Sequence, residues 1–213
     1  MDLMARYPDK HFDLAIVDPP YGIGFDGQRI STSKHGGRKS HSFKGWDSAI
    51  PDEKYFKELF RVSKNQIIWG ANYFTKYLPG SMGWIFWDKG QRICNSDGEL
   101  AYSSFNRALR VITYNRVELL KEGTIHPTQK PVALYEWLLS KYAKNGDIIL
   151  DTHCGSASSL IACENLGFEY VACEKDPDYY QESLKRLRQH TAQKKLFSTQ
   201  LKKNETEKEL FNG

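Results

Sequence analysis

The sequence predicts an α/β fold built on a mostly parallel sheet with antiparallel edge strands. Two observations carry that prediction. Short apolar runs (12–17, 66–69, 83–87, 147–150 and 170–173) each end at an acid, a proline or a turn, as buried parallel strands do. Helical patterns stand between them at 51–62, 132–142, 158–166 and 177–188, the alternation expected of βαβ units. A length of 213 residues accommodates one such domain with a proper core.

Phe12–Val17 is the first strand. Asp18-Pro19-Pro20-Tyr21 stops it, because neither proline can donate to a ladder, and leaves a carboxylate and an aromatic ring at the strand's carboxyl end. Open α/β sheets bind ligands there. Residues 22–50 follow as a polar, basic loop expected to be mobile. Arg29, Lys34, Arg38, Lys39 and Lys44, with Phe43 and Trp46, suit contact with nucleic acid. Pro51-Asp52-Glu53 opens a helix to Val62 with Tyr55, Phe56, Leu59 and Phe60 on one face. Gln66–Trp69 reads as a strand, Tyr73–Tyr77 as a short helix, and Gly83–Trp87 as a strand. Glu99–Phe105 and Leu109–Tyr114 alternate as antiparallel edge members.

His126–Pro131 leads into an amphipathic helix over Val132–Tyr142. Asp147–Leu150 is a buried strand ending at Asp151, and Thr152–Ser158 is a turn of small residues. The next helix runs from Ser158 to Leu166, stopped by Gly167. Tyr170–Cys173 is a strand ending at Glu174. Asp176 caps a last helix with Pro177 at its first position. Beyond Thr191 the chain is polar and charged, a frayed helix or disordered tail. Residues 1–190 are therefore expected to be one catalytic domain and 191–213 its tail.

Composition narrows the function. Net charge is +4 and the isoelectric point about 8.7, which permits a polyanionic partner. There is no run of 18 apolar residues, so no membrane partner is expected, and Met1–Arg6 has no signal-peptide character. None of the 4 cysteines pairs as Cys-x-x-Cys, so neither a structural metal nor an oxidising compartment is expected. The expected location is the cytoplasm.

The 147–174 unit points to a nucleoside-containing cofactor. A tight turn brings backbone N–H groups close to a ligand. Glu174, at the end of the next strand, lies near the ~20-residue spacing of a ribose-binding acid. The turn holds only Gly155, not Gly-x-Gly-x-x-Gly, which disfavours a pyrophosphate and with it a nicotinamide-dependent oxidoreductase.

Asp-Pro-Pro-Tyr at 18–21, Trp-Gly-Ala-Asn at 69–72, His-Pro-Thr-Gln-Lys-Pro at 126–131 and Leu-Asp-x-x-x-Gly-Ser at 150–156, in that order, resemble the DNA amino-methyltransferases of the permuted β group. The resemblance spans about residues 1–190. It implies a Rossmann-like, S-adenosylmethionine-dependent methyltransferase fold and methyl transfer to the exocyclic N6 of adenine in DNA. Cytosine-N4 transfer, or a catalytically weak nucleic-acid-binding module, are the alternatives. By position, Asp151, Gly155, Ser156 and Ser158 would form the cofactor loop, Glu174 would hold the ribose, Lys130 would sit near the methionine end, and Asp2 would flank the adenine. The usual Asp-Pro-Phe-x-Gly-Ser-Gly-Thr is altered at Thr152, His153, Ala157 and Ser158, and the strand usual before Asp2 is expected to be missing or short. DNA, a second copy of the chain and a cognate restriction enzyme are the partners implied.

The chemistry asked of 18–21 follows from the substrate. An exocyclic amine is a poor nucleophile because its lone pair is delocalised into the ring. The Asp18 carboxylate and the Pro19 carbonyl, held by the fixed φ of Pro19 and Pro20, would accept the amino hydrogens and localise that pair. Tyr21 would stack on a base extruded from the duplex.

Overall fold

The computed structural model describes residues 1–27, 42–90, 96–115 and 124–211, with the side chains of 195 and 197–211 excepted. After a 3-10 turn at Met4–Arg6 the elements are β1 (Phe12–Val17), α1 (Glu53–Val62), β2 (Ser63–Trp69), β3 (Ile85–Asp88), β4 (Gly98–Ser103) and β5 (Arg110–Thr113). They continue with α2 (Val132–Tyr142), β6 (Ile148–Asp151), α3 (Ser158–Leu166), β7 (Glu169–Ala172) and α4 (Pro177–Phe211).

The strands form one sheet of order β5-β3-β4-β2-β1-β6-β7. β1 pairs in parallel with β2 on one side and β6 on the other, and β6 pairs in parallel with β7. From β1 the chain moves to β2 on one side; from β6 it moves to β7 on the other. The direction of winding therefore reverses between β1 and β6, and a crevice at their carboxyl ends is the expected ligand site of such a sheet. Asp18 follows one of these strands and Asp151 closes the other.

Period-2 alternation sends β1 side chains to both faces. Leu14 and Ile16 join Ile67, Trp69, Leu134, Leu138 and Cys163 on the α2–α3 face. Phe12, Ala15 and Val17 join Ile68, Leu150, Phe56, Leu59 and Val62 on the α1 face. Both faces are covered, which is why β1 reads as a continuous apolar run. Asp52 caps α1 by accepting the Tyr55 N–H at 3.0 Å, and Asp176 caps α4 by accepting those of Asp178 and Tyr179, each at 3.0 Å.

Several expectations are corrected. β4 is antiparallel, but it lies inside the sheet between β2 and β3, with Ala101 and Tyr102 buried. The edge strand β5 is instead parallel to β3. Residues 73–77 make no α-helix; 3-10 turns at Ala71–Tyr73 and Thr75–Tyr77 stand there, because Gly70 enters with φ +67 and the next residues pack around Tyr21. α4 continues as one helix to Phe211; no Gly or Pro follows Pro177 before that point, and its Lys, Glu and Gln residues are good helix formers.

Candidate active site

The crevice has one end after β1 and another after β6. At the first, a cavity of about 620 Å³ opens beside Asp18, Pro19 and Pro20, with Tyr21, Tyr73 and Glu99 among its walls. That size suits a small-molecule site. Tyr21 donates its hydroxyl to Asp18 Oδ1 at 2.6 Å, while its ring stacks on Tyr73 at 5.2 Å and 15°. Gly70 makes this possible: a Cβ there would strike the Tyr21 ring, and its φ of +67 suits glycine.

The other oxygen of Asp18 has a partner from far along the chain. Lys130, 3% exposed, donates to Asp18 Oδ2 at 2.5 Å and also meets Glu99 Oε2 at 3.0 Å. Lys89 reaches Glu99 Oε1 at 2.9 Å. Lys130 thus bridges Asp18 to a second carboxylate, Glu99 on β4; the family resemblance implies a place for it near the methionine end of the cofactor. Its ammonium is opposed by burial, but Asp18 and Glu99 outweigh that and hold it above the ordinary lysine range. Burial would raise Glu99, yet Lys130 and Lys89 bring it down to about 2. Burial, with Glu99 nearby, leaves Asp18 above the usual carboxylate range despite Lys130 and Tyr21. Burial and the neighbouring carboxylates Asp18 and Glu99 push the Tyr21 phenol far up, so it stays a donor.

At the second end the acids are satisfied locally. Asp151, 3% exposed, accepts the His153 N–H at 3.0 Å and the Ser159 hydroxyl at 2.5 Å. It braces the turn from within. Burial raises its pKa to about 7, and burial lowers that of His153 to about 4. Tyr55 on α1 pins the turn through Thr152 Oγ1 at 2.7 Å. Ser156 and Ser158 are buried and share a hydrogen bond of 3.1 Å. Arg186 on α4 donates to Ser156 O at 2.8 Å and Ser158 Oγ at 2.9 Å. These serines shape the turn.

Gly155 and Glu174 form the half-buried part of the cradle. Gly155 has φ +47, and a Cβ on it would lie 3.7 Å from the His126 ring. Its N–H donates to Glu174 Oε2 at 2.9 Å, and Asp176 N–H donates to Glu174 Oε1 at 2.9 Å. Each carboxylate oxygen keeps a further lone pair for a hydroxyl donor. A carboxylate on that amide also disfavours a phosphate there, so the residues fit a nucleoside cofactor without a pyrophosphate. Asp2 is exposed ahead of the Met4–Arg6 turn; among the described residues, none of the hydrogen bonds above joins it to this cradle.

The loop after Tyr21 is ordered by acids in its described parts. Asp47 accepts the N–H groups of Gly22 and Phe25, each at 2.8 Å, and Asp26 accepts those of Lys44 and Gly45. The expected phosphate contact Lys44 is paired with Asp176 and Asp178, each at 2.7 Å, with its ammonium 4.5 Å from the Tyr179 ring centroid. That pairing ties the loop to the start of α4 and corrects the reading of Lys44 as a free phosphate ligand. Arg29, Lys34, Arg38 and Lys39 lie outside the described residues. Trp46 packs on His126 at 5.2 Å, and His126 on Tyr179 at 4.3 Å.

Sequence reasoning missed Glu99, Lys89, Tyr73 and Arg186. A glutamate opening an otherwise apolar interior strand was the available signal for Glu99. The other residues carried none.

Comparison with known proteins identifies the family and the fold. A family model described as DNA methylase, for the N6/N4 type, matches residues 68–185. Type II methyltransferase M.HpaI of Haemophilus parainfluenzae is 36% identical over 230 residues, covering 86% of this chain and 70% of its own length. The crystal structure of an M1.HpyAVI–SAM complex superposes with a TM-score of 0.57 at 20% identity, over 87% of this chain and 92% of that one. The cytosine-N4-specific PvuII DNA methyltransferase also superposes with a TM-score of 0.57, at 10% identity over 89% and 86%. By the family match and the M.HpaI relationship, this chain belongs to the N6/N4 DNA methylase family.

Proposed function

We propose that this protein transfers a methyl group from S-adenosylmethionine to the exocyclic N6 of adenine in DNA. The observation that carries the reading is Asp18, lining a cavity of about 620 Å³ where the winding of the sheet reverses. Its motif begins with Asp, which favours adenine; cytosine-N4 is the competing outcome within the family.

Gly155 and Glu174 would hold the nucleoside end of the cofactor, on a turn braced by Asp151, Ser156, Ser158 and Ser159. S-adenosylmethionine, when bound, supplies an electrophilic methyl group. The chain's own residues do the rest. Asp18 and the Pro19 carbonyl accept the two amino hydrogens of the base and localise its lone pair. Preorganised acceptors of this kind stabilise positive charge developing on nitrogen. Tyr21 and Tyr73 offer aromatic surface to an extruded base. Arg29, Lys34, Arg38 and Lys39 supply positive charge for the phosphates, and a second copy of the chain and a cognate restriction enzyme are the further partners of this reading.

Calorimetry with S-adenosylmethionine and with NAD tests the cofactor. Incubation of unmethylated DNA with radiolabelled S-adenosylmethionine, followed by nucleoside digestion, tests the reaction. Label in N6-methyl-2′-deoxyadenosine supports the reading, and label in N4-methyl-2′-deoxycytidine moves it to the other base. NAD binding without S-adenosylmethionine binding contradicts it.

A further inference from the structure

Asp18, Tyr21, Lys89, Glu99 and Lys130 converge from distant parts of the chain, and two of the donors are shared between two carboxylates. Lys130 Nζ lies 2.5 Å from Asp18 Oδ2 and 3.0 Å from Glu99 Oε2. Tyr21 Oη lies 2.6 Å from Asp18 Oδ1 and 3.3 Å from that same Glu99 Oε2. Each donor is closer to Asp18, so both Asp18 oxygens are engaged in the structure. This works against Asp18 as an amine acceptor. A bound ammonium weakens the carboxylate as an acceptor, and it places positive charge beside the nitrogen that must itself become positive. Glu99 is built to relieve this. Lys89 fixes Oε1 at 2.9 Å, turning Oε2 toward the shared donors, and Gly98 lets β4 approach β3 where a Cβ would strike the Phe86 ring.

We propose that Glu99 is a positioning residue that takes Lys130 and Tyr21 over from Asp18 when the target amine docks. Asp18 then meets the amine with both oxygens released. The inference rests on the amine-acceptor role given to Asp18 above. The exchange needs little motion, since both donors already stand near both carboxylates, and it keeps Lys130 paired throughout, as a buried ammonium requires.

Glu99→Gln in the full chain is the test. Methyl transfer to unmethylated DNA should lose about 100-fold in kcat, the low end of the range for a lost preorganised group, with KM for DNA and S-adenosylmethionine affinity within about 2-fold. Lys89→Met/Glu99→Gln should be as slow as Glu99→Gln. Recovery in that double variant would mean that net charge alone matters and would overturn the exchange, as would a normal kcat for Glu99→Gln. Thermal unfolding gives a second, activity-independent readout. Asp18→Asn and Glu99→Gln should each lower Tm by a few degrees, because the other carboxylate still holds Lys130. Their combination should lower it by clearly more than the sum; additive shifts overturn the proposal. A wild-type chain that transfers no methyl group contradicts the proposed function, and the thermal cycle then decides Glu99 by itself.

Discussion

The ends of β1 and β6 solve one problem in different ways. Each places a carboxylate at the carboxyl end of a parallel strand in the middle of the sheet. At β6, Asp151 is satisfied by His153 and Ser159, the latter 8 residues onward. At β1, Asp18 is satisfied by Lys130, which is 112 residues away, with Glu99 and Lys89 completing the network. A carboxylate bonded to local backbone and hydroxyl groups braces a loop. One held by a distant ammonium depends on the whole fold, and its acceptor strength changes when that ammonium moves. The first arrangement suits a scaffold and the second suits chemistry.

Removing the distant cation should therefore do the most damage. Lys130→Met leaves Asp18 and Glu99 buried with only the Tyr21 hydroxyl bridging them and Lys89 on Glu99, and breaking such a cluster costs about 3–5 kcal/mol. Denaturant unfolding should show that loss, and Asp18 chemistry should fail with it. A Lys130→Met variant as stable as the parent would erase the contrast between the two strand ends.

Glu174→Ala probes the other end. Losing a hydrogen-bonded carboxylate from the cradle should weaken S-adenosylmethionine by about tenfold, equivalent to ~1.4 kcal/mol, with DNA affinity little changed. An unchanged dissociation constant by calorimetry would remove Glu174 from the ribose role.

The local brace also has a pH signature. Asp151, raised to about 7 in the fold, contributes stability that is full below its unfolded value and is lost as pH rises through 7. His153, lowered to about 4, contributes stability that is present above its unfolded value and is lost as pH falls through 4. Between those limits the two slopes oppose one another. Asp151→Asn should remove the first, so that stability between pH 4 and 6.5 rises with pH more than in the parent, by up to about 1.4 kcal/mol per pH unit. A pH profile of Tm unchanged by Asp151→Asn would mean that the brace is not ionising in this range.

The smallest effect is expected at Lys44. Its ammonium is paired with Asp176 and Asp178, so Lys44→Ala should cost less than about 1 kcal/mol and leave the salt dependence of DNA binding unchanged. A slope lower by about one would return Lys44 to the phosphate contacts.

The same contrast explains what could be read before folding. The α3 boundaries, the Asp176 cap and the Asp151 turn were legible because local sequence determines them. The end of β1 was legible because two prolines after an apolar run mark where a strand stops. The Lys130–Glu99 bridge was not, since it depends on β4 inserting between β2 and β3. Nothing in the alternation of residues 98–103 distinguishes an interior strand from an edge. Lys44 misled for the same reason: its acidic partners lie more than a hundred residues onward, 132 away for Asp176.

Asp18→Ala, assayed in parallel for methyl transfer and for S-adenosylmethionine binding, tests the central claim most directly. The account predicts a rate lower by about 10²–10³-fold with the cofactor dissociation constant essentially that of the parent. Near-normal transfer of label to DNA by this variant would contradict it.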